Sequence, residues 1–429
     1  MAGARDRAAR LSGIEHETVA QIPPQHARQA AADESGTPWR LLGLLICITA
    51  IGPTTLNILV PALPNLAILL GTDIKTAQLA VSLYLIGLAS AQLLAGPLSD
   101  RFGRRPVALG GLALTGIMSL AALAVTSIES LIVVRIVQAI GAASGLVVAR
   151  AIVRDLFDRD RAAAMLGLVA TAMVIAPTFG PLIGGVLETA FGWQSIFLFV
   201  AAASLTVLAW AAAILPETRL RHAETPSGFL TGIAVLARSP SFHGYVLCAA
   251  FASGTFFAFL GGGPHAVVTI MGRSPAEFGV WFAVSSVGYM AGNFLTSRLS
   301  MLHGIDKMIW WGLVIQIVGV AGGTALAAFA PAGGPAIIFV PQLVTGFGNG
   351  VMLPNAIAGA ISVRPQAAGS AAGFLGCIQM MVGAAFVQLG GLVLADAATV
   401  LPMALLLVAI VLGYAVSFFG LVRPRLLES

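Results

Sequence analysis

Two side chains within the long apolar stretches of this chain have the chemistry to carry a charge or exchange a proton. Arg135 is the one formal charge well inside such a stretch. A charge in an apolar layer is costly, so it is by default a candidate functional residue; the alternative is a structural arginine satisfied by backbone carbonyls. His265 follows Gly261-Gly-Gly-Pro264 and titrates near neutrality, so it is either a proton carrier or a histidine that borders a loop.

The sequence lacks the motifs of enzymes, metal sites and channels. There is no Gly-x-x-x-x-Gly-Lys loop for ATP, no His-Glu-x-x-His and no cluster of carboxylates in the apolar stretches. Cys47, Cys248 and Cys377 lie inside apolar stretches without metal-ligand spacing, which is typical of small hydrophobic side chains. No charged ring or selectivity filter is evident. We therefore predict no enzyme activity, no cofactor and no metal.

The composition predicts an all-α membrane protein. Hydrophobic residues make up 58% of the 429 residues and charged residues only 10%, whereas soluble domains are about a quarter charged. A spanning helix needs about 20 apolar residues. The segment 308–363 is too long for one helix and breaks at Pro331-Ala-Gly-Gly-Pro335, a turn signal. With that break, and with one charge allowed in 130–149, twelve spans follow from the segments 41–72, 76–99, 106–128, 130–149, 162–187, 189–216, 239–272, 278–297, 308–363, 365–395 and 397–422.

The basic residues predict how these spans are oriented. Apart from Arg135, only Lys75 and Arg273 lie on the side opposite the amino-terminal tail. Because basic loops stay in the cytoplasm, we expect a multi-pass protein of the plasma (inner) membrane with both termini cytoplasmic. The net charge of +5 is then this asymmetry itself. No basic patch interleaved with aromatic residues is present, so we expect no nucleic-acid partner.

The polar stretches divide the chain into two halves. We predict a disordered cytoplasmic tail over 1–40, a six-helix bundle over 41–216, a cytoplasmic linker over 217–242, a second six-helix bundle over 243–422 and a short tail over 423–429. Gly96 near the end of span two and Gly292 near the end of span eight indicate a repeat of about 200 residues, with a binding site at the midplane between two pseudo-symmetric halves.

A short loop between spans two and three carries a distinctive motif. It reads Gly96-Pro-Leu-Ser-Asp-Arg-Phe-Gly-Arg-Arg-Pro106, and it resembles the signature loop of the major facilitator superfamily. Span four carries Arg135-Ile-Val-Gln138, which is similar to the Arg-x-x-Gln-Gly pattern of that family with Ala139 in the last place. Span five carries a sequence similar to the antiporter motif of the family, from Gly180-Pro181 to Gly184-Gly185.

Further short motifs resemble the Bcr/CflA branch of drug:proton antiporters within this superfamily. They stand at the ends of spans one and six, in span ten and at the start of span eleven: Pro61-Ala-Leu-Pro64, Leu215-Pro-Glu-Thr218, Pro354-Asn355 and Ala368-Gly-Ser-Ala371. The resemblance implies efflux of a small amphipathic drug in exchange for protons by alternating access. An exporter of an endogenous metabolite or an importer is the alternative, and we expect a monomer.

The resemblance also implies roles for the motif residues. It makes the loop a conformational switch in which Asp100 caps the start of span eleven, near Ala368, in the outward-facing state. It gives Arg135 a role in coupling proton and substrate movement. The switch residues are Gly96, Asp100, Arg101, Gly103, Arg104 and Arg105, and the antiporter motif is Gly180, Pro181, Gly184 and Gly185.

Polar and aromatic side chains inside the spans are the candidates for lining a substrate cavity, although each could instead serve helix packing. They are Asn57, Tyr84, Gln92, Gln138, Phe256, Phe257, Phe259, Asn293, Gln342, Asn349, Asn355 and Gln379. Many relatives carry an acid in span one where this chain has Asn57, which cannot release a proton. The nearest acids, Asp73, Glu129 and Glu188, stand at the outer ends of spans. The missing acid favours neutral or zwitterionic substrates.

Overall fold

The computed structural model describes residues 37–157, 159–218, 236, 238–364 and 368–422, and this part of the chain is helical with no strand. It contains twelve helices long and apolar enough to cross a membrane, so the predicted number of spans is confirmed. The helices are α1 (Trp39–Leu69), α2 (Ile74–Phe102), α3 (Arg104–Ala124), α4 (Ile128–Leu156), α5 (Met165–Phe191), α6 (Trp193–Ile214), α7 (Pro240–Ile270), α8 (Pro275–His303), α9 (Ile305–Phe329), α10 (Ala336–Ser362), α11 (Gly369–Leu392) and α12 (Leu401–Val422).

Several predicted features lie outside the described residues. They include most of the tail 1–40, the central part of the linker 217–242 and the whole tail 423–429. The predicted domain boundaries therefore stay predictions. We call α1–α6 the first half and α7–α12 the second half. Every contact described below lies within Leu44–Ser429, which clusters as one compact unit.

Short loops reverse the chain at both ends of the helices. Gly103 begins the turn into α3 with a φ of 106°, and Gly192 separates α5 from α6 with a φ of 80°, conformations that favour glycine. Asp73 caps the start of α2 by accepting a hydrogen bond from the Thr76 amide at 2.7 Å, and this bond lowers the pKa of Asp73. We call the end with Arg101, Arg104 and Arg105 the arginine end, and the end with Lys75 the lysine end.

Two helices depart from regular α geometry near the lysine end. In α1 the α-helical part ends at Asn57, and a 3₁₀ turn over Val60–Ala62 leads into Leu63–Leu69. Proline at Pro61 and Pro64 removes backbone donors at this break. The last residues of α7, His265–Ile270, form a π-helix after Pro264.

Several helices extend past the charge-free segments that predicted them, and α5 does so through a buried charge. The charged residue Glu188 ended the apolar segment 162–187, but α5 continues through Glu188 to Phe191 and turns at Gly192. The side chain of Glu188 is buried inside the protein, with 7% of its surface exposed. A charge therefore marked the end of a lipid-facing pattern without marking the end of the helix.

Close glycine contacts repeat in the two halves. A Cβ at Gly87 on α2 would meet the carbonyl oxygen of Ile136 on α4, and a Cβ at Gly288 on α8 would meet that of Leu343 on α10. An added Cβ at Gly111 on α3 would likewise meet the carbonyl oxygen of Gly141 on α4, and one at Gly312 on α9 would meet that of Gly348 on α10. Small residues let helix backbones approach closely in membranes, so both halves use one packing scheme.

The pair proposed from sequence as the mark of this repeat is not equivalent in packing. Gly96 meets no heavy atom within 4 Å of an added Cβ, whereas Gly292 lies against Phe347 and Gly350 of α10. Aligning the two halves on the repeated glycine contacts pairs Gly87 with Gly288 and Ile136 with Leu343. Arg135, which precedes Ile136, then matches Gln342, which precedes Leu343.

Candidate functional site

Arg135 on α4 is a charged side chain buried inside the first half, with 1% of its surface exposed. Its Nε donates to the carbonyl oxygen of Ala80 on α2 at 3.2 Å, and its Nη1 donates to that of Thr55 on α1 at 3.0 Å. The guanidinium lies over the Tyr84 ring, 4.1 Å from the centroid. Arg135 thus joins three helices through backbone and aromatic contacts.

The charge of Arg135 has no acidic partner among the described residues. Nη1 also donates to Gln138 Oε1 at 2.6 Å, and Gln138 Nε2 donates to Ser119 Oγ on α3 at 2.7 Å. The buried Nη2 has no hydrogen-bond partner among the described residues. The carbonyl contacts fit the structural alternative, but the uncompensated charge and the open donor fit a functional one.

The second half holds a neutral network between α7, α9 and α10. Gln316 on α9 donates to Asn349 on α10 at 3.0 Å, and Asn349 donates to Thr255 on α7 at 3.0 Å. In the repeated register Gln342 stands where the first half has Arg135. The two halves are therefore electrostatically unlike, with the buried cation in the first half.

The signature loop forms a network of charges at the arginine end. Arg104 pairs with Asp100 one turn earlier on the α2 side, and its Nε contacts Asp155 at the end of α4 at 3.0 Å. Glu217, just after α6, accepts hydrogen bonds from the backbone amides of Arg104 and Arg105 at the start of α3. A carboxylate at a helix N-terminus is stabilising, so the loop binds the ends of α2, α3, α4 and α6 together.

The predicted capping of α11 by Asp100 stays a prediction. In this structure Asp100 pairs with Arg104, and residues 365–367 just before α11 lie outside the described residues. Arg105 donates to the carbonyl oxygen of Ala212 at 2.7 Å, and Arg101 lies over the Phe102 ring. The added Cβ at Gly103 would meet Glu217, so this turn has no room for a side chain.

The two halves are held together at the lysine end by α2 and α11. Lys75 pairs with Asp396 at 3.3 Å, and the Gln388 side chain donates to the backbone carbonyl of Lys75 at 2.8 Å. Gln78 donates to the carbonyl oxygen of Gly261 on α7 at 2.9 Å. The Gln78 amide also fills the space beside Gly391, where an added Cβ would overlap it.

Glycines of the antiporter motif place α5 against α1 and α8 at the same end. A Cβ at Gly180 would lie 3.0 Å from that of Asn57, and one at Gly184 would collide with the carbonyl oxygen of Ile58. Gly185 lies equally close to the carbonyl oxygen of Pro275 on α8. The carbonyl oxygen of Pro181 faces Gly279 of α8. The motif therefore makes backbone-to-backbone contacts at the closed lysine end; its role in antiport stays a prediction.

At the arginine end the glycines of α2 and α11 face open space. Added Cβ atoms at Gly96, Gly369 and Gly376 would meet no heavy atom within 4 Å. Leu94 and Leu98 on α2 are 63% and 47% exposed. The described contacts between the two halves therefore lie at the lysine end, whereas α2 and α11 carry exposed positions near the arginine end.

The remaining cavity candidates fall in different places. Gln92 and Gln379 are half-buried on α2 and α11. Asn57 is buried with its Oδ1 unpartnered among the described residues. Asn355 accepts from Ser300 within the second half. Only Tyr84 and Gln138 of the cavity candidates contact Arg135 among the described interactions.

Several candidates lie in packed regions, and the cluster that holds Phe257 and Phe259 includes side chains of both halves. Gln342 borders a cavity of about 20 Å³ between α9, α10 and α12. Phe257 packs on Gly383, and Phe259 packs on Phe339 with ring centroids 5.2 Å apart. The aromatic wall expected from sequence is thus mostly core, with Phe256 as its partly exposed member.

The role of His265 as a proton carrier stays a prediction. The residue is buried at the π-helical end of α7, beside the lysine end. Sequence reasoning missed Gln78, Gln316 and Glu188. Gln78 and Gln316 show the same signal as the cavity candidates, a polar side chain inside a charge-free segment. Glu188 gives no such signal because a charged residue marks the end of a segment.

Comparisons with known proteins agree with this architecture. The profile of the Major Facilitator Superfamily matches residues 45–387. The chain is 28% identical to a bicyclomycin resistance protein homolog of Haemophilus influenzae, over 80% of this chain and 86% of that protein. It is 30% identical to multidrug resistance protein D of Escherichia coli, over 84% and 89%. Its fold is similar to a bacterial homolog of the lysosomal transporter Spinster in an inward-facing, unoccupied conformation, with a TM-score of 0.73 at 15% identity, covering 90% of this chain and 98% of the other.

Proposed function

Since the chain belongs to the major facilitator superfamily and is a membrane transporter rather than an enzyme, we propose that it exports small amphipathic drugs in exchange for protons by alternating access. The observation that carries the proposal is the asymmetry between its ends. The halves meet through Lys75–Asp396, Gln78–Gly261 and the α5–α8 glycines at one end, whereas glycines of α2 and α11 face open space at the other. Such a molecule exposes a midplane site to one side at a time.

The basic residues assign sides to these ends. Arg101, Arg104, Arg105, Arg154 and Arg364 lie at the arginine end, and basic loops remain cytoplasmic. Both termini then face the cytoplasm, and the structure corresponds to an inward-facing state. In this state a drug enters from the cytoplasm, and opening of the lysine end releases it outside.

The chemistry of the interior supports a neutral or zwitterionic substrate. The first half holds the buried cation Arg135, and Asn57 stands where an acid would attract a cationic drug. The described spans hold no buried carboxylate near their middle. A cationic substrate would therefore be opposed by a like charge without a counter-charge, whereas a neutral compound would not be opposed.

Expression in a bacterial host that lacks its own drug pumps tests this function. We expect resistance to some neutral amphipathic antibiotics to rise at least about fourfold, since export lowers the steady concentration at the target, and little change for permanently cationic dyes. The measurement is the minimum inhibitory concentration over a broad panel, followed by efflux with and without a protonophore. The control is a set of cells that express the double variant Asp155→Asn/Arg104→Ala, in which the ion pair between these two residues of the signature-loop network is removed.

The outcome separates the proposed function from its alternatives. Resistance with protonophore-sensitive efflux supports drug:proton antiport. No change for any compound, with normal amounts of protein in the membrane, contradicts drug export and favours an exporter of an endogenous metabolite. Increased susceptibility together with drug uptake would favour an importer.

A further inference from the structure

Glu188 is a buried carboxyl at the junction of helices that close the lysine end. It follows Gly184 and Gly185 by one turn on α5, and these glycines lie against Ile58 of α1 and Pro275 of α8. The neighbouring Thr189 accepts a hydrogen bond from the Ala276 amide of α8 at 3.1 Å. Glu188 therefore lies on the helix face that must move when the two halves separate at this end.

The hydrogen bonds of Glu188 suit a neutral carboxyl group better than a carboxylate. Oε1 accepts one bond, from Asn65 Nδ2 on α1 at 3.0 Å. Oε2 is buried and has no hydrogen-bond partner among the described residues. A buried charge without a counter-charge or full hydrogen bonding is strongly disfavoured, so such groups usually become neutral.

The surrounding charges do not alter this conclusion. The described parts of α1 from Leu44 and of α6 contribute no acidic or basic side chain. Glu277 begins α8, Glu129 begins α4, and both are acids that oppose a further negative charge. Lys75 is paired with Asp396, and Arg273 lies exposed before α8 without a described ion pair to Glu188.

We propose that Glu188 is the proton-binding site of the lysine end: its carboxylate takes up a proton from water on that side before the end closes, and the neutral carboxyl is what becomes buried. In this step an O–H bond forms on Glu188, and hydronium on the outer side becomes water. The proton returns to the same side when the end reopens, so Glu188 makes closure depend on the pH of that side and does not itself carry a proton across the membrane. The inference therefore goes beyond the proposed antiport and is independent of it.

Proton uptake on closing has a defined pH dependence. If the closed state holds a neutral carboxyl and the open state exposes a carboxylate to water, closure is favoured at low pH and is lost as the pH rises. For one proton, the ratio of closed to open molecules changes by at most about tenfold per pH unit. Glutamine mimics the neutral form, so Glu188→Gln is expected to remain closed at every pH.

Distances between spin labels at the lysine end test this inference in purified protein without substrate or gradient. The labels are placed on Leu69→Cys and Ala398→Cys, exposed positions in different halves, after Cys47, Cys248 and Cys377 are replaced by alanine. From about pH 5 to about pH 9 we expect the short-distance population to give way to a longer one. Glu129→Gln, which removes an exposed carboxyl at the same end, is the matched control and should keep this response.

Asn65→Leu covers the case in which Glu188→Gln does not fold. It leaves the carboxyl in place and removes its one described donor, so the transition should move to higher pH. A wild-type distribution that does not change with pH, a Glu188→Gln protein that still titrates, or an unmoved transition in Asn65→Leu would each overturn the proposal. The distance measurement contains no drug, so the two proposals can fail separately. Loss of the pH response with intact drug efflux contradicts only the role of Glu188. Absent efflux with an intact pH response contradicts only the proposed drug export.

Discussion

Arg135→Met is expected to reduce drug efflux to background while the protein stays folded. Hydrogen bonds from a charged group contribute about 1.5–3 kcal/mol each, and Arg135 makes such bonds to Thr55, Ala80 and Gln138. Burying its charge without an acidic partner costs several kcal/mol in return. The two effects nearly cancel, so the methionine variant should be almost as stable as the wild type. Its loss of efflux then reports the contribution of the positive charge to transport.

Arg135→Lys is the matched control for this prediction. Lysine keeps the positive charge but lacks the planar fork that reaches Thr55 and Ala80 while lying flat on Tyr84. We expect intermediate efflux. The measurements are the thermal unfolding temperature in detergent and the efflux rate of the same preparations. A methionine variant that fails to fold would identify a structural arginine, and one that exports at the wild-type rate would remove Arg135 from the mechanism.

A disulfide between Gln78→Cys and Gly391→Cys is expected to stop transport by locking the lysine end. An added Cβ at Gly391 falls on the side-chain amide of Gln78, two bonds from the Cβ of Gln78. The two cysteine Cβ atoms would thus lie within about 4.5 Å, the range of disulfides. Since α2 and α11 must separate here for the site to reach the other side, the oxidised protein should transport at less than about a tenth of its reduced rate.

Reduction provides the internal control for the lock. Dithiothreitol should restore transport in the double variant, and oxidation should leave each single variant unaffected, in the background without native cysteines. The measurement is efflux against the cross-linked fraction on a gel. Full transport by a fully cross-linked protein would show that this end need not open.

The spans could be predicted from sequence because lipid tolerates few charges. The turn at Pro331–Pro335 separates α9, which ends at Phe329, from α10, which begins at Ala336. Glu188 shows the limit of the same reasoning. A rule that ends each span at a charged residue places a boundary at Glu188, although this charge is buried inside a helix. Only the packing of α1 and α8 around α5 distinguishes the two situations.

The candidate site could be predicted residue by residue but not as an arrangement. Arg135 and Gln138 share a helix face and were identified together, whereas the carbonyl of Thr55, the Tyr84 ring and Ser119 come from other helices. Their proximity depends on glycine crossings such as Gly87 with Ile136. Such contacts leave a weak sequence signal because glycine serves several roles.

Transport by purified protein in liposomes tests the central claim most directly. With an acidic lumen and a neutral antibiotic to which expressing cells are resistant, the account predicts accumulation of the antibiotic above the outside concentration. A protonophore should abolish this accumulation, and so should the oxidised disulfide between positions 78 and 391. Movement of the antibiotic that ignores both the pH gradient and the disulfide, or no movement under any gradient, would contradict proton-driven export by alternating access.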